Sequence, residues 1–262
     1  MITAVIPTLN EEKFVADAIR GVSFADEILV IDSFSSDRTV EVAGDMGARV
    51  IQRNFDDFSS QKNHAIQQAK NEWILVIDAD ERVSGALAAE IQDAVKNPGD
   101  RVAFFLYRNF YFQGNRVRYG GWQTDKAIRL FKKDKGQYNG NLVHETIEPE
   151  GPVGFLSERL DHYSYRDHRQ YTAKLEMYAR LQAEELYRKN RRPWFLLIAV
   201  KPAFRFFVHY FVRMGLLDGR AGFELARAHA IGVRKRYIYL NAKYRDIEES
   251  KVAMKPNYER GN

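Results

Sequence analysis

The chain has 262 residues, of which 45% are hydrophobic and 29% charged, and its net charge is +5. This composition is ordinary for a folded protein of one large or two modest domains, and it excludes intrinsic disorder. Cysteine is absent, which excludes disulfide bonds and thiolate metal sites and is compatible with a reducing compartment.

The N-terminal segment, MITAVIPTLNEE, has no basic leader and only a short apolar run before Asn10. A secretory signal has a basic leader and a longer apolar region. We therefore expect a cytoplasmic protein.

The first 97 residues alternate short β-branched runs with helical apolar spacing, which indicates an α/β domain with a mainly parallel sheet. Four strands are predicted, at residues 3–6, 27–31, 49–52 and 73–77. Helix caps are predicted at four places, namely Asn10, Ser36, Ser59 with Ser60, and Ser84. The last of these helices should end at Asn97, before Pro98 and Gly99.

The pattern changes after residue 100. Further strands are predicted at residues 102–107, 111–112 and 127–131, joined by glycine-containing turns, as a mixed or antiparallel extension of the sheet. Beyond residue 165 we expect two long helices, at 168–190 and 193–236, and a polar, frayed tail from Asp246. The sequence thus predicts a domain at 1–165 and a helical region at 166–262.

Three carboxylates within four positions, Asp78, Asp80 and Glu81, follow the predicted strand at 73–77. In parallel sheets, ligands bind at the carboxyl ends of the strands. Other polar residues follow the first two strands: Thr8, Asn10, Glu11 and Asp32. Crowded carboxylates repel one another, so a divalent cation, Mg²⁺ or Mn²⁺, is the economical explanation.

Two chemistries use Asp-x-Asp after an apolar strand. Phosphoryl transfer by haloacid dehalogenase-like enzymes requires a small hydroxylated or β-branched residue two positions after the second Asp, where this chain has Arg82. The other is glycosyl transfer from a nucleotide sugar, in which the metal bridges the diphosphate and stabilises the leaving nucleotide. Arg82 at that position therefore favours glycosyl transfer over phosphoryl transfer.

Six motifs, in this order, carry a family resemblance: IPTLNEE, DSFSSDRT, Lys62-Asn63, VIDADER, GGWQTDKAIRLF and NLVHE. The set resembles family 2 glycosyltransferases of the GT-A fold, and more narrowly the lipopolysaccharide core β-1,4-glucosyltransferase group. The resemblance implies a Rossmann-like, mainly parallel mixed sheet with a C-terminal helical region. It also implies an inverting hexosyltransferase that uses a nucleotide-diphosphate sugar, above all a UDP-sugar, and a divalent metal.

The resemblance also assigns roles to residues. Pro7, Thr8, Asn10 and Glu11 are similar to the loop that holds the nucleoside, and Asp32 to the residue that contacts base or ribose. The remaining matches are Lys62 near the nucleotide, Asp78 at the sugar or ribose, and Asp80 as metal ligand. Phe34 and Ser36 depart from the family pattern, which is usually a small residue and Thr, so the motif leaves nucleotide preference open.

Inversion by direct displacement needs a general base for the acceptor hydroxyl, and two carboxylates are candidates. Glu145 adjoins His144, whose imidazole could complete the metal shell. Asp125 lies in a glycine-rich loop beside Trp122. Glu145 is favoured as the base, with Asp125 contacting the acceptor.

Charge is unevenly distributed: residues 1–187 have 23 Lys and Arg against 29 Asp and Glu, whereas residues 188–245 have 14 against 2. Lys201, Arg205, His209 and Arg213 recur every four residues among aromatics, a pattern suited to an anionic membrane surface. The longest uncharged run of this basic, aromatic segment, 193–200, is too short to span a bilayer.

We therefore expect residues 188–236 to bind the inner face of the cytoplasmic membrane as a peripheral region. No nucleic-acid recognition module is visible, so nucleic acid is not an expected partner. The expected acceptor is a membrane-bound glycolipid, the lipopolysaccharide inner core. One alternative is a transferase that acts on a lipid-linked oligosaccharide or a protein. The other is a non-catalytic protein that binds nucleotide sugars or acts as a membrane scaffold.

Overall fold

The computed structural model describes residues 1–140, 145–165, 168–192 and 194–253. The chain divides into two compact units, Met1–Arg166 and Asp167–Asn262. His144 of the predicted metal pair lies outside the described residues.

The first unit is an α/β layer structure. Its strands are β1 Ile2–Thr8, β2 Glu27–Asp32, β3 Arg49–Gln52, β4 Trp73–Val76, β5 Glu81–Arg82, β6 Ala103–Phe112, β7 Asn115–Val117, β8 Lys126–Lys132, β9 Gly136–Tyr138, β10 Ile147–Pro149 and β11 Val153–Tyr165. Its helices are α1 Val15–Gly21, α2 Thr39–Asp45, α3 Phe58–Gln68 and α4 Gly85–Lys96. A short 3₁₀ turn covers Trp122–Thr124.

The main sheet has nine strands in the order β3-β2-β1-β4-β8-β6-β11-β5, with β7 paired to β6. Strands β1 to β4 pair in parallel, as the four predicted runs require. Strand β8 joins β4 and β6 in antiparallel register, so the sheet is mixed, as expected. The carboxyl ends of β1, β2 and β4 therefore meet at one edge.

Helices cover both faces of the parallel half of the sheet, which is why the central positions of β1, β2 and β4 are apolar. Along β1, Ile6 packs in a cluster with Ile19 of α1 and Leu87 of α4. Val5 points to the opposite face, where it packs in a second cluster with Ile66 of α3. This alternation is the period of two that a β-strand imposes.

Three of the four predicted helix caps are wrong. Helix α1 begins only at Val15, and Asn10 adopts a left-handed φ of 57°. Helix α2 begins at Thr39, beyond Ser36. Helix α3 is capped by Asp57, whose side chain accepts a hydrogen bond from the Ser60 amide at 2.8 Å.

The fourth cap is confirmed. Ser84 Oγ accepts from the Leu87 amide at 3.1 Å, and α4 ends at Lys96 with the predicted Asn97 as its C-cap. Two of the wrong caps share one cause, because Asn10 and Ser36 hydrogen-bond to each other across the two loops instead of to a helix. Short polar side chains compete for backbone amides in this way.

The second half of the sheet differs from the sequence prediction in two respects. The runs at 102–107 and 111–112 form one strand, β6, and the 13-residue β11 was not predicted. The β6–β11 register shifts between Phe155 and Arg159. At this irregularity the Ser157 and Glu158 amides donate to the Glu90 carboxylate of α4, at 2.6 and 2.8 Å. A side chain 67 positions away supports the bend, which no local pattern reveals.

The second unit is helical, with α5 at His168–Arg188, α6 at Phe195–Phe207 and α7 at Gly219–Ala253. The helix predicted at 193–236 is interrupted by a π-helical segment at Val208–Val212 and a 3₁₀ turn at Gly215–Asp218. Met214 and Gly219 break it with φ angles of 58° and 59°. The tail predicted to fray from Asp246 instead continues α7 to Ala253. Within the described residues, no helix combines the length and apolarity that a membrane span requires.

Glycine is required where α7 begins. A Cβ on Gly222 would overlap the carbonyl oxygen of Gly215 in the preceding 3₁₀ turn. Backbone cannot yield as a flexible side chain can, so this close approach fixes how α7 leaves the turn. Gly232, further along the same helix, has room for a methyl group, since its Cβ would lie 3.6 Å from Leu175 Cδ2.

We expect Gly222→Ala to lower the free energy of unfolding by about 1–3 kcal/mol, because the added methyl forces a backbone shift. Gly232→Ala should raise it by about 0.5–1 kcal/mol, since alanine is the better helix former. Urea unfolding followed by circular dichroism measures both. Equal effects of the two substitutions would contradict the close-approach argument.

Candidate active site

The carboxylates that follow β4 are stabilised by arginines rather than left to repel one another. Glu81 is fully buried, and its Oε2 accepts from the Asp78 amide at 2.9 Å. Its Oε1 accepts from Arg129 Nη2 at 2.5 Å and lies 3.4 Å from Arg108 Nη1. Glu81 therefore anchors the turn internally.

Arg129 is the central cation of the site. It lies on β8 and is only 4% exposed. Its Nη2 also donates to Asp78 Oδ2 at 2.7 Å, so one guanidinium nitrogen bridges two carboxylates. Burial alone would raise the pKa of Asp78, but the charges of Arg129 and Lys62 outweigh it and hold that pKa well below its usual range. Asp78 is thus an anion at neutral pH.

Lys62, on α3, is the second buried cation and joins two of the predicted site residues. Its Nζ donates to Glu145 Oε1 at 2.9 Å and lies 3.5 Å from Asp78 Oδ1. The ammonium sits 5.1 Å from the centre of the Tyr138 ring. Burial lowers the pKa of Lys62, but Asp78, Tyr138 and Glu145 together raise it above the ordinary value, so Lys62 stays charged.

Asp125 is linked to the same network from the other side. Arg108 donates to both of its carboxylate oxygens, Nε to Oδ2 at 2.9 Å and Nη2 to Oδ1 at 2.8 Å. Seven side chains of alternating charge therefore form one continuous ion-pair chain: Asp125, Arg108, Glu81, Arg129, Asp78, Lys62 and Glu145. The two predicted base candidates are its ends.

The loops after β1 and β2 are bound together through Asp32. Its buried carboxylate accepts from Thr8 Oγ1 at 3.0 Å, from the Ser35 amide at 2.8 Å and from Gln52 Nε2 at 3.3 Å. Asp32 thus organises both loops from beneath. Its direct contact with a base or ribose stays a prediction.

The remaining nucleotide-site candidates line these loops. The Asn10 amide donates to Ser35 Oγ at 2.8 Å, and the Glu11 amide donates to Thr39 Oγ1 at 2.7 Å. Pro7 pairs with Ile31 across β1 and β2. Phe34, where the family motif has a small residue, is 53% exposed with a left-handed φ of 59°.

Asp80, the predicted metal ligand, faces a histidine that the sequence reasoning missed. His162 Nε2, on β11, lies 3.5 Å from Asp80 Oδ1, and the Tyr163 amide donates to the Asp80 carbonyl at 2.9 Å. Among the described residues, no three His, Asp or Glu side chains are grouped as a preformed metal site.

The sequence reasoning also missed Arg129, Arg108 and the anchoring role of Glu81. Arg129 did leave a signal, because it lies between apolar residues of a predicted strand. Arginine is almost never fully buried unless it is paired. A charged residue in a buried strand therefore points to a nearby carboxylate, although not to which one.

Comparison with known proteins identifies the family. The model of glycosyl transferase family 2 matches residues 3–147. An uncharacterized glycosyltransferase of Rickettsia bellii is 31% identical over 234 residues, 85% of this chain and 80% of its own. The lipopolysaccharide core biosynthesis glycosyltransferase LpsC of Rhizobium meliloti is 29% identical over 249 residues, 92% of this chain and 90% of its own.

Among solved structures, glucosyl-3-phosphoglycerate synthase from Mycobacterium tuberculosis, in complex with Mn²⁺, UDP and glucosyl-3-phosphoglycerate, is 21% identical. The match covers 42% of this chain and 44% of that chain with a TM-score of 0.37, a likeness too slight to bear on function. The family match and the relatives suffice. The chain belongs to glycosyl transferase family 2. It is a glycosyltransferase, as the sequence resemblance implied, and its mixed sheet and C-terminal helices are those expected of the GT-A fold.

Arg129→Met should destabilise the first unit by roughly 3–5 kcal/mol at neutral pH, because it removes the buried guanidinium that hydrogen-bonds to both Asp78 and Glu81. Urea unfolding measures the loss. Lys126→Met is the matched control on the same strand, since Lys126 is exposed and lies over the Phe105 and Phe155 rings. The control should cost no more than about 1 kcal/mol.

The difference between Arg129→Met and the parent protein should also depend on pH. The pKa of Asp78 is depressed in the folded protein. Its ionisation therefore contributes stability above the unfolded pKa of about 3.9, and this contribution is lost as the pH falls through the folded pKa. The difference in the free energy of unfolding between the variant and the parent should be largest near neutral pH and should become smaller in acid. A difference independent of pH would mean that lost packing, not charge, causes the destabilisation.

Proposed function

We propose that this glycosyltransferase moves a hexose such as glucose, with inversion, from a UDP-sugar to a membrane-bound glycolipid, the lipopolysaccharide inner core. The ion-pair chain is the observation that carries this proposal, because it holds Asp78 ionised between two buried cations at the carboxyl edge of the sheet. The lipopolysaccharide core assignment of LpsC supports this class of acceptor.

Lys62 and Asp78 are the proposed donor contacts. Lys62 is a point charge with three donor protons, suited to a diphosphate, and its present partners are two carboxylates. A diphosphate approaching Lys62 would compete with Glu145 for the ammonium. Asp78, one-third exposed, can accept hydrogen bonds from sugar or ribose hydroxyls while Arg129 keeps its orientation.

Glu145 is the better placed of the two candidate bases. In the described structure only its Oε1 is bonded to Lys62, whereas both oxygens of Asp125 are held by Arg108. A bidentate guanidinium stabilises the carboxylate anion and occupies the lone pairs that would receive a proton. We therefore assign Glu145 to take the proton from the acceptor hydroxyl, and Asp125 to acceptor positioning.

The surroundings of Asp80 fit a hard divalent cation. One carboxylate with an imidazole nearby leaves coordination positions for phosphate oxygens and water, as Mg²⁺ and Mn²⁺ prefer. Asp80 would hold the cation, with His144 as the predicted second ligand. A cation bound there would neutralise the diphosphate and stabilise the departing nucleotide.

A panel of nucleotide sugars, scored for Mn²⁺-dependent protection against thermal unfolding, tests donor binding. A UDP-sugar should raise the melting temperature most, because a ligand bound only by the native state stabilises it. Asp80→Asn should abolish the dependence on Mn²⁺. If no nucleotide sugar protects the protein, the result contradicts donor binding and favours a non-catalytic membrane scaffold protein.

Glu145→Gln should lower turnover at least about a hundredfold, the contribution expected of a general base, and keep donor protection. Asp125→Asn is the comparison, and it should mainly raise the KM for the acceptor. Turnover within about tenfold of the parent in Glu145→Gln is too small a loss for a general base and would remove the assignment.

Membrane binding is proposed for the second unit. More than half of the large apolar side chains exposed in the described chain lie between residues 194 and 223, including Phe204, Phe207 and Phe211. Cations on the same segment, such as Arg205 and Arg213, suit anionic headgroups. This combination supports a peripheral position on the inner face of the cytoplasmic membrane.

The double substitution Phe204→Ser and Phe207→Ser should weaken binding to anionic phosphatidylglycerol vesicles at least about tenfold. Each of these exposed aromatic side chains would contribute apolar transfer energy on entering the membrane interface. Ile231→Ser with Ile238→Ser, which removes two exposed apolar residues of α7, is the control and should bind as the parent does. Vesicle sedimentation measures both. Binding that is absent at low ionic strength would contradict the membrane proposal.

A further inference from the structure

The second unit contains a cluster of cationic side chains around a stacked pair of histidines. His209, in the π-helical segment, and His229, on α7, stack with ring centroids 4.5 Å apart and 20° between the planes. His209 is 7% exposed. Arg205 Nη1, one turn before it, lies 3.3 Å from His209 Nε2.

Two further arginines lie near Arg205. Arg213 and Arg236 both lower the pKa of Arg205 after the effect of burial, so their charges lie within electrostatic reach of it. The pKa of His229 falls to about 3, first because of burial and then because of His209, Arg205 and Arg213. His229 is therefore neutral at physiological pH, in an environment that is already positive.

The three arginines have no carboxylate partner within the described part of the unit. Its described salt bridges use Glu176, Glu184 and Glu224, whose partners are elsewhere: Arg180, Lys235, Arg188, Lys243 and Arg220. Arg236 instead donates to Gln182 Oε1 at 3.2 Å and lies 4.9 Å from the Tyr237 ring centre. Its buried Nε has no hydrogen-bond acceptor among the described residues.

The local backbone is also unusual. The sequence spacing of Arg205, His209 and Arg213 predicts one regular stripe on an α-helix. The π-helical segment at Val208–Val212 changes the helical turn between them. Such π segments are rare, and they occur frequently at functional sites. Met214, directly after Arg213, has a left-handed φ of 58°, a conformation uncommon for residues other than glycine.

We propose that Arg205, Arg213 and Arg236, around the His209–His229 pair, bind a phosphate group. Guanidinium groups bind phosphate through paired, charge-assisted hydrogen bonds, and an anion here would supply the counter-charge that the described carboxylates do not. A metal cation is the wrong ligand for a cluster of this sign. The residues nearby favour a phosphate attached to lipid, because Phe204 and Phe207 are exposed beside Arg205.

Two sources share this chemistry, a lipid-borne phosphate and a free phosphate. Assigning the site to the phosphate of a lipid-linked acceptor rests on the proposed transferase function. The existence of the site does not, since it concerns residues of the second unit alone. Its test therefore uses neither donor, metal nor turnover.

The test is titration of the full-length protein with inorganic phosphate, followed by calorimetry and by the imidazole ¹⁵N shifts of His229 at about pH 5. Binding should move His229 toward its protonated form, because a neighbouring anion raises the pKa of a histidine. Arg205→Gln with Arg213→Gln should weaken phosphate binding at least about tenfold, since each lost pair is a charge-assisted hydrogen bond. Both arginines are exposed, so the variant should fold.

Arg227→Gln with Arg234→Gln is the matched control, because it removes the same charge from exposed positions of α7. It should bind phosphate within about twofold of the parent, as expected if only screened long-range charge is lost. Equal weakening in both variants, or an unmoved His229 at saturating phosphate, would overturn the proposal.

Vesicles distinguish the two sources. Phosphatidylglycerol vesicles that compete with inorganic phosphate, while phosphatidylcholine vesicles do not, support a lipid-borne phosphate. If neither kind of vesicle competes with inorganic phosphate, the phosphate site stands but its assignment to a lipid is overturned. The His229 shift reports phosphate binding in the second unit, whereas donor protection and turnover report on the first, so failure of the transferase proposal and failure of this one give different results.

Discussion

The buried guanidinium of Arg129 makes it possible for three carboxylates to stand within four positions at the end of β4. Without it, Asp78 and Glu81 would share a low-dielectric site with no adequate counter-charge, and one of them would take up a proton. With it, Glu81 becomes a structural anchor and Asp78 an ionised ligand. These two carboxylates therefore have different roles, although both contact the same arginine.

This arrangement depends on the mixed topology of the sheet. Strand β8 pairs with β4 in antiparallel register, and this brings Arg129 beside the end of a strand more than 50 positions earlier. Strand β6 adds Arg108, and α3 adds Lys62. The segment after β4 thus supplies two of the four carboxylates of the ion-pair chain, Asp78 and Glu81, while the antiparallel strands β6 and β8 supply both arginines. The fold and the charge state of the site cannot be separated.

What the sequence could predict follows from the range of each interaction. Strands β1 to β4 and the polar residues at their ends have local patterns, so the parallel half of the sheet was predictable, as was the meeting of these polar residues at its carboxyl edge. Strand β11 and the pairing of Arg129 with Glu81 depend on contacts 48 or more positions apart. The caps at Asn10 and Ser36 failed for the same reason, because each side chain had a better partner in the neighbouring loop.

The two units compensate charge in opposite ways. In the first, cations and anions alternate along one chain of contacts, so each buried charge has a neighbour of the other sign. In the second, the charges of Arg213 and Arg236 act on Arg205, and those of Arg205 and Arg213 act on His229, with no salt bridge from these arginines to a carboxylate among the described residues. A protein that compensates charge so closely in one unit has the residues to do so in the other. That it does not suggests that the missing anion belongs to the ligand, and the concentration of basic residues at 188–245 then reflects binding rather than solubility.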